Sequence, residues 1–184
     1  MPFYLVRHGE TSLSGTFCGS SNPGLTARGR DQGRSASRIL SRFPIDIGYF
    51  SPLLRTRQTA QILRLRLNVP LVSRLSLREV SFGAWEGLRF EDVEEKWPRL
   101  AKLWARDPLK VRIPRAESFP SLRRRIKRFL ATIKKENVLL VAHGGSLGAV
   151  VLELLGLANN EFPDCVPPIG SVRMIQGRKM RTLC

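Results

Sequence analysis

The chain is short of negative charge, of histidine and of long apolar runs. Its 184 residues carry 15 Asp+Glu against 31 Lys+Arg, and its two histidines are His8 and His143. No apolar stretch approaches the roughly 20 residues that a membrane-crossing helix needs, so no membrane partner is expected. The opening MPFYLVRH is neither a charged leader nor a cleavable signal, and the expected compartment is the cytoplasm. Cysteine is scarce as well. Cys18, Cys165 and Cys184 are odd in number and form no CxxC pair, which argues against a disulfide framework or a zinc site and for free thiols. No cluster of carboxylates points to magnesium. Neither a metal nor a cofactor is expected.

What is abundant is positive charge. A net charge of +16 on a chain this short attracts anions such as phosphorylated metabolites, nucleic acid or acidic surfaces. Most of the arginines read as solvated helix faces, so the charge alone says only that the ligand is anionic. Composition is otherwise that of an ordinary globular domain, with 42% hydrophobic and 25% charged residues, and the length suits one domain over 1–184.

Short apolar runs alternate with helical periods. Residues 3–7 (FYLVR) and 137–143 (NVLLVAH) read as buried strands, and 46–50 and 69–72 as two more. A helix is expected from Thr26 to a stop at Pro44. A second carries Ala60, Leu63 and Leu67. A third, over 118–136, is capped by Ser118 and shows a basic face at Arg123, Arg124, Lys127 and Arg128. A fourth follows Gly144-Gly145 and closes at Gly156. A hairpin over 171–176 and 179–183 ends the chain. Residues 81–116 differ in composition, hold Trp85, Trp97 and Trp104, and read as an insertion or lid. Those tryptophans either pack that lid or stack on a substrate; packing is the commoner use. The alternation implies an α/β three-layer sandwich around a mostly parallel sheet.

Both histidines end a strand and are followed by glycine. Ligands of open α/β sheets bind beyond the carboxyl ends of the strands, where these imidazoles emerge together. One strand-end histidine is usually structural; two in the same setting, with no third in the chain, argue for a shared site. Arg7 precedes His8, and Arg55 lies in the first turn of the helix after the strand ending at Ser51-Pro52. Guanidinium groups grip phosphate oxygens in pairs, and a helix N-terminus adds donors. Two arginines and two imidazoles around one point make a pocket for a phosphoryl dianion.

The segments RHGET (7–11), SPLLRTRQTA (51–60), LREVSFGAWEG (77–87) and VAHGG (141–145) resemble the four signatures of the histidine phosphatase superfamily, whose fold is that of phosphoglycerate mutase. They stand in the family's order and span most of the chain. The resemblance implies that His8 takes the phosphoryl group and that Arg7, Arg55 and His143 clamp its oxygens. It implies that Glu79 protonates the leaving alcohol, and that Ser14 and Gly144 complete the phosphate site. It also implies a metal-independent hydrolase acting on a small phosphate monoester.

The FGAWEG segment and the short chain look more like the broad phosphatase branch, including α-ribazole phosphatase, than like the mutases. Four positions depart from the family pattern: Ser14 stands for an asparagine, Asn22 and Gly24 for an aspartate and a proline, and Gly148 for an arginine. Two other readings stay open. One is a mutase or sugar bisphosphatase of the same superfamily. The other is a non-catalytic basic protein that binds nucleic acid or another polyanion; nucleic acid is not the expected partner, and the oligomeric state is left open.

Overall fold

The computed structural model describes residues 1–134 and 136–184. In chain order the elements are β1 (Pro2–Arg7), α1 (Ala27–Leu40), β2 (Ile47–Phe50), α2 (Leu54–Arg64), β3 (Leu71–Ser73), α3 (Phe90–Lys96), α4 (Pro98–Arg106), α5 (Phe119–Leu130), β4 (Val138–Ala142), α6 (Gly144–Leu155), α7 (Phe162–Cys165), β5 (Val172–Gln176) and β6 (Lys179–Thr182). Among the described residues, six strands form one sheet in the order β3-β2-β4-β1-β5-β6. The first four run parallel, and β5 and β6 add an antiparallel hairpin at one edge.

Burial on both faces explains the continuous apolar runs of β1 and β4. Phe3, Leu5, Val138 and Leu140 point into a core built with Leu122 and Ile126 of α5 and Leu147 and Val151 of α6. The alternate residues Tyr4, Val6, Leu139 and Val141 pack on the other side against Ala36 and Leu40 of α1 and Leu63 of α2. The expected three layers result. Among the described residues, no helix is long and apolar enough to cross a membrane.

Capping sets several boundaries. The Thr26 side chain accepts from the Gly29 amide at the start of α1, and Ser118 accepts from Ser121 at the start of α5. Gly156, at φ 69°, closes α6. Three boundaries differ from expectation. β3 begins at Leu71 rather than residue 69, because Pro70 has no N–H to give the ladder; its carbonyl accepts from Gly48 instead. Helix α1 ends at Leu40, before Pro44 is reached. Helix α5 ends at Leu130 rather than residue 136, where the Thr132 hydroxyl takes the Phe129 carbonyl and tightens the chain into a turn. Ile133 still packs on the core. Lys135, within the expected helix, lies outside the described residues.

Residues 81–116 carry a separate apolar cluster around Trp85, Val93, Ala101 and Ile113. Trp85 is fully buried, and its ring meets those of Phe17 and Trp104 at 5.1 and 5.5 Å between centroids. Trp85 therefore serves packing, whereas Trp104 also faces the cavity described next.

The strand order does the positioning. β2, β4 and β1 are parallel neighbours, so their carboxyl ends deliver Ser51, His143 and His8 to one edge of the sheet. The chain leaving β1 then crosses α1 closely: a Cβ at Gly9 would sit 2.2 Å from the Gly29 carbonyl oxygen, and one at Gly29 2.1 Å from that of Glu10. Only glycine allows this approach.

Candidate active site

The side chains of Arg7, His8, Arg55, Glu79 and the backbone of Gly144 line one cavity of about 340 Å³ at the carboxyl edge of the sheet. Arg55 is its hub. The side chain is 1% exposed, and its Nε–H is shared between His8 Nε2 at 3.2 Å and His143 Nδ1 at 3.1 Å. Its Nη1 donates to the Ser21 carbonyl at 2.6 Å and its Nη2 to the Gly19 carbonyl at 2.8 Å. Since Nε can only donate, both imidazole nitrogens facing it carry lone pairs.

That fixes both tautomers. His8 carries its proton on Nδ1 and donates it to the Gly9 carbonyl at 2.7 Å, leaving Nε2 with the lone pair turned toward Arg55. His143 carries its proton on Nε2 and donates it to Ser51 Oγ at 2.8 Å. The two rings lie 5.1 Å apart, edge to face. Burial first, and the Arg55 charge second, pushes the His8 imidazole down to about 3. The same two causes in the same order hold His143 well below its ordinary value. Both rings are neutral at neutral pH.

Arg7 reaches across the first residue of α6. Its Nη1 donates to the Pro167 carbonyl at 2.7 Å, its Nε is buried without a partner, and its Cζ lies 3.0 Å from where a Gly144 Cβ would stand. A side chain at residue 144 would push the guanidinium away. Glu79 docks on the same helix: Oε2 accepts from the Gly145 amide, and Oε1 from Ser146 and Val80, each at 3.0 Å. A carboxylate thus occupies the donor-rich end of α6. Arg125 holds the segment from behind, donating to the carbonyls of Ser76 and Glu79 while paired with Glu117. Ser14 lines the cavity with its hydroxyl accepting from the Thr11 amide at 3.0 Å.

The structure therefore brings together Arg7, His8, Arg55, His143 and Glu79, with Ser14 and Gly144 on the same cavity or directly against it. Arg55 is more firmly built in than a free oxygen clamp, since each end of its guanidinium already holds a loop carbonyl. Of the departing positions, Asn22 has a structural use: its Oδ1 accepts from the Leu54 amide at 2.6 Å and caps α2, whose own N-cap Leu53 cannot. Gly148 is where Phe162 packs, 2.9 Å from a notional Cβ. Among the described residues, no three His, Cys, Asp or Glu side chains are arranged to hold a metal, and all three cysteines are free.

Sequence reading gave no role to Glu86. Its carboxylate accepts from the Ser20 amide at 2.8 Å, from the hydroxyls of Ser20, Ser21 and Ser81, and from the Phe82 amide at 3.2 Å. Burial works to raise this carboxyl, but the hydrogen bonds from Ser20, Ser21 and Phe82 together bring it below its ordinary value. Glu86 thereby ties down the loop whose carbonyls at Gly19 and Ser21 hold Arg55. The signal was an acid inside FGAWEG, yet the serines that explain it lie 65 and 66 residues away.

Known proteins resemble this chain along nearly its whole length. The family model described as "Histidine phosphatase superfamily (branch 1)" matches residues 3–182. Phosphoserine phosphatase 1 of Hydrogenobacter thermophilus is 33% identical over 164 residues, covering 86% of this chain and 78% of the relative. The 2,3-bisphosphoglycerate-dependent phosphoglycerate mutase of Bartonella henselae is 30% identical over 172 residues, covering 86% and 83%. The crystal structure of the α-ribazole phosphatase from Shigella flexneri superposes with a TM-score of 0.86 at 25% identity, covering 99% of this chain and 94% of that one.

Two outcomes follow from the geometry. Replacing Glu86 with alanine leaves five donors without their acceptor; unfolding free energy should fall by about 2 kcal/mol or more, and the Ser20 amide should lose protection in hydrogen exchange. An unchanged Ser20 amide would contradict the tie. The second outcome concerns pH. The unfolded chain protonates its histidines near 6.5, while the folded His8 resists protonation down to about 3. Below pH 6.5 the unfolded state binds more protons, so stability falls with pH. Between pH 7 and 5 the loss from His8 should be about 2 kcal/mol, with His143 adding to it in the same direction, read by urea denaturation. A flat profile across that window would mean that the rings are already charged in the fold.

Proposed function

Because the chain belongs to the histidine phosphatase superfamily, we propose that it is a metal-independent phosphatase that hydrolyses a phosphate monoester through phosphohistidine at His8. The observation that carries this reading is the His8 tautomer. Nδ1–H is spent on the Gly9 carbonyl, so the lone pair that can attack phosphorus is on Nε2, in the cavity beside Arg55.

In this mechanism, an arriving phosphoryl group offers the Arg55 Nε–H a charged oxygen, a stronger acceptor than an imidazole nitrogen. That releases the His8 lone pair. Nε2 attacks phosphorus as the ester P–O bond breaks, and the leaving oxygen takes a proton from Glu79, whose carboxylate receives it from the monoanionic ester on binding. Transfer passes through a loose transition state, so fixed positive charge and positioning contribute most. Arg7 and Arg55 supply the charge. Water then attacks phospho-His8, gives its proton to Glu79, and inorganic phosphate leaves with the imidazole neutral again.

Hydrolysis is favoured over phosphoryl exchange between two positions of a substrate by the likeness of FGAWEG to the phosphatase branch. Phosphatases also stand among the relatives at 33% and 36% identity. The finer candidate is α-ribazole phosphate, supported by the fold likeness to α-ribazole phosphatases. The reading as a non-catalytic polyanion binder draws on the +16 charge and the basic face at Arg123, Arg124, Lys127 and Arg128, and no feature of the cavity favours it. Cytoplasmic action on a small phosphorylated substrate, by one domain over 1–184, completes the proposal.

Hydrolysis of p-nitrophenyl phosphate in EDTA tests it. The parent should turn over without metal and be inhibited by vanadate, and His8→Ala should lose at least about 10³-fold in kcat. Activity that requires an added divalent ion, or survives in His8→Ala, would contradict the mechanism.

A further inference from the structure

The cavity has two unlike parts. At one end stand Arg7, His8, Arg55 and Glu79; the rest of its wall is mainly apolar, with Phe82, Trp104, Leu109, Phe119, Phe162 and Ile169 among its residues and Thr16, Ser81 and Glu117 among the polar exceptions. That wall is stiff on one side: Phe82 and Trp104 pack edge to face at 5.8 Å, both against Phe17. On another side Phe119 and Phe162 meet at 4.7 Å, with Phe162 filling the space over Gly148.

The cations are distributed just as unevenly. The chain has 31 Lys+Arg, yet the cavity-lining cations among the described residues are Arg7 and Arg55. Both belong to the phosphoryl end, Arg55 on the two imidazoles and Arg7 across Gly144. The other acid on the wall, Glu117, is engaged by Arg125 with two contacts of 2.8 Å. A substrate that fills the cavity while its phosphoryl group meets His8 places its remaining atoms mainly against aromatic and aliphatic side chains, with uncharged hydroxyls such as those of Thr16 and Ser81 beside them. A second negative charge there would lose water and gain no counter-charge, which is strongly unfavourable. An aromatic or aliphatic body would bury its surface at no such cost. A volume of about 340 Å³ is at the small end of the range for small-molecule sites.

We propose that the leaving group is an uncharged alcohol with an apolar or aromatic body, and that esters bearing a second anionic group, such as phosphoserine, phosphoglycerates and bisphosphates, are selected against. This rests on the phosphatase reading above and narrows it. It separates the chain from relatives whose names specify a carboxylated substrate, and it is met by a nucleoside-like alcohol with an aromatic base. The +16 charge then acts outside the cavity, drawing the phosphate in without fixing a second anion.

The test compares kcat/KM of the full-length protein in EDTA on four esters of primary alcohols: 2-phenylethyl phosphate, propyl phosphate, 2-carboxyethyl phosphate and O-phosphoserine. Propyl and 2-carboxyethyl phosphate are close in size and differ in the charge. The neutral member should be favoured about tenfold or more, and 2-phenylethyl phosphate should exceed phosphoserine about 100-fold, mainly through KM. Phosphoserine or 2-carboxyethyl phosphate used as well as the neutral esters would overturn the proposal while leaving the phosphatase intact. No turnover of these esters or of p-nitrophenyl phosphate would overturn both.

Discussion

A single N–H, the Nε–H of Arg55, lies between two imidazole nitrogens at 3.1 and 3.2 Å. An arginine Nε is always a donor, so its position forces a lone pair on each ring nitrogen that faces it. The remaining proton of each ring must then point away, and each finds an acceptor: the Gly9 carbonyl for His8, the Ser51 hydroxyl for His143. The same guanidinium keeps a positive charge against both rings and so opposes their protonation. One side chain thus sets the tautomers and the distance between the two histidines, and together with burial it keeps both rings neutral. The proposed chemistry needs all three.

Holding that arginine requires structure from well outside the sheet. Its two terminal nitrogens are bound by the carbonyls of Gly19 and Ser21, and that loop is fastened by the Glu86 carboxylate. Glu86 belongs to the segment with its own aromatic cluster, so the 81–116 region both walls the cavity and tethers its hub. Glu79, a few residues earlier, docks on α6 through the amides of Gly145 and Ser146. One stretch of chain, 79–86, reaches both Arg55 and the helix that follows His143. Apart from Arg125, which holds the Glu79 segment from behind, the basic residues of α5 take no part in this.

Much of this was legible in the sequence because it depends on local pattern. Continuous apolar runs ending in His-Gly mark doubly buried strands with a ligand edge, and parallel neighbours bring such ends together. Helix starts at Thr26 and Ser118 follow from capping chemistry, and the four signature segments carry the family. What was not legible depends on contacts between distant segments. Glu86 lies 66 and 65 residues from Ser20 and Ser21, two of the serines that bind it, and no period or cap links them. Asn22 reads as a lost aspartate until its bond to the Leu54 amide shows that it caps α2. The early end of α5 follows from a turn closed by the Thr132 hydroxyl, which an amphipathic pattern does not register. The arginine-rich composition pointed to an anion but could not say that only two of those cations, among the described residues, line the cavity.

The central claim is that His8 Nε2 becomes bonded to phosphorus during turnover. Rapid quench of the protein with a ³²P-labelled monoester, followed by peptide mapping, tests it directly. The account predicts an acid-labile, alkali-stable phosphoryl group on the peptide containing His8, formed and lost at rates compatible with turnover and absent in His8→Ala. Turnover with no such adduct, or a label on any other residue, would contradict it.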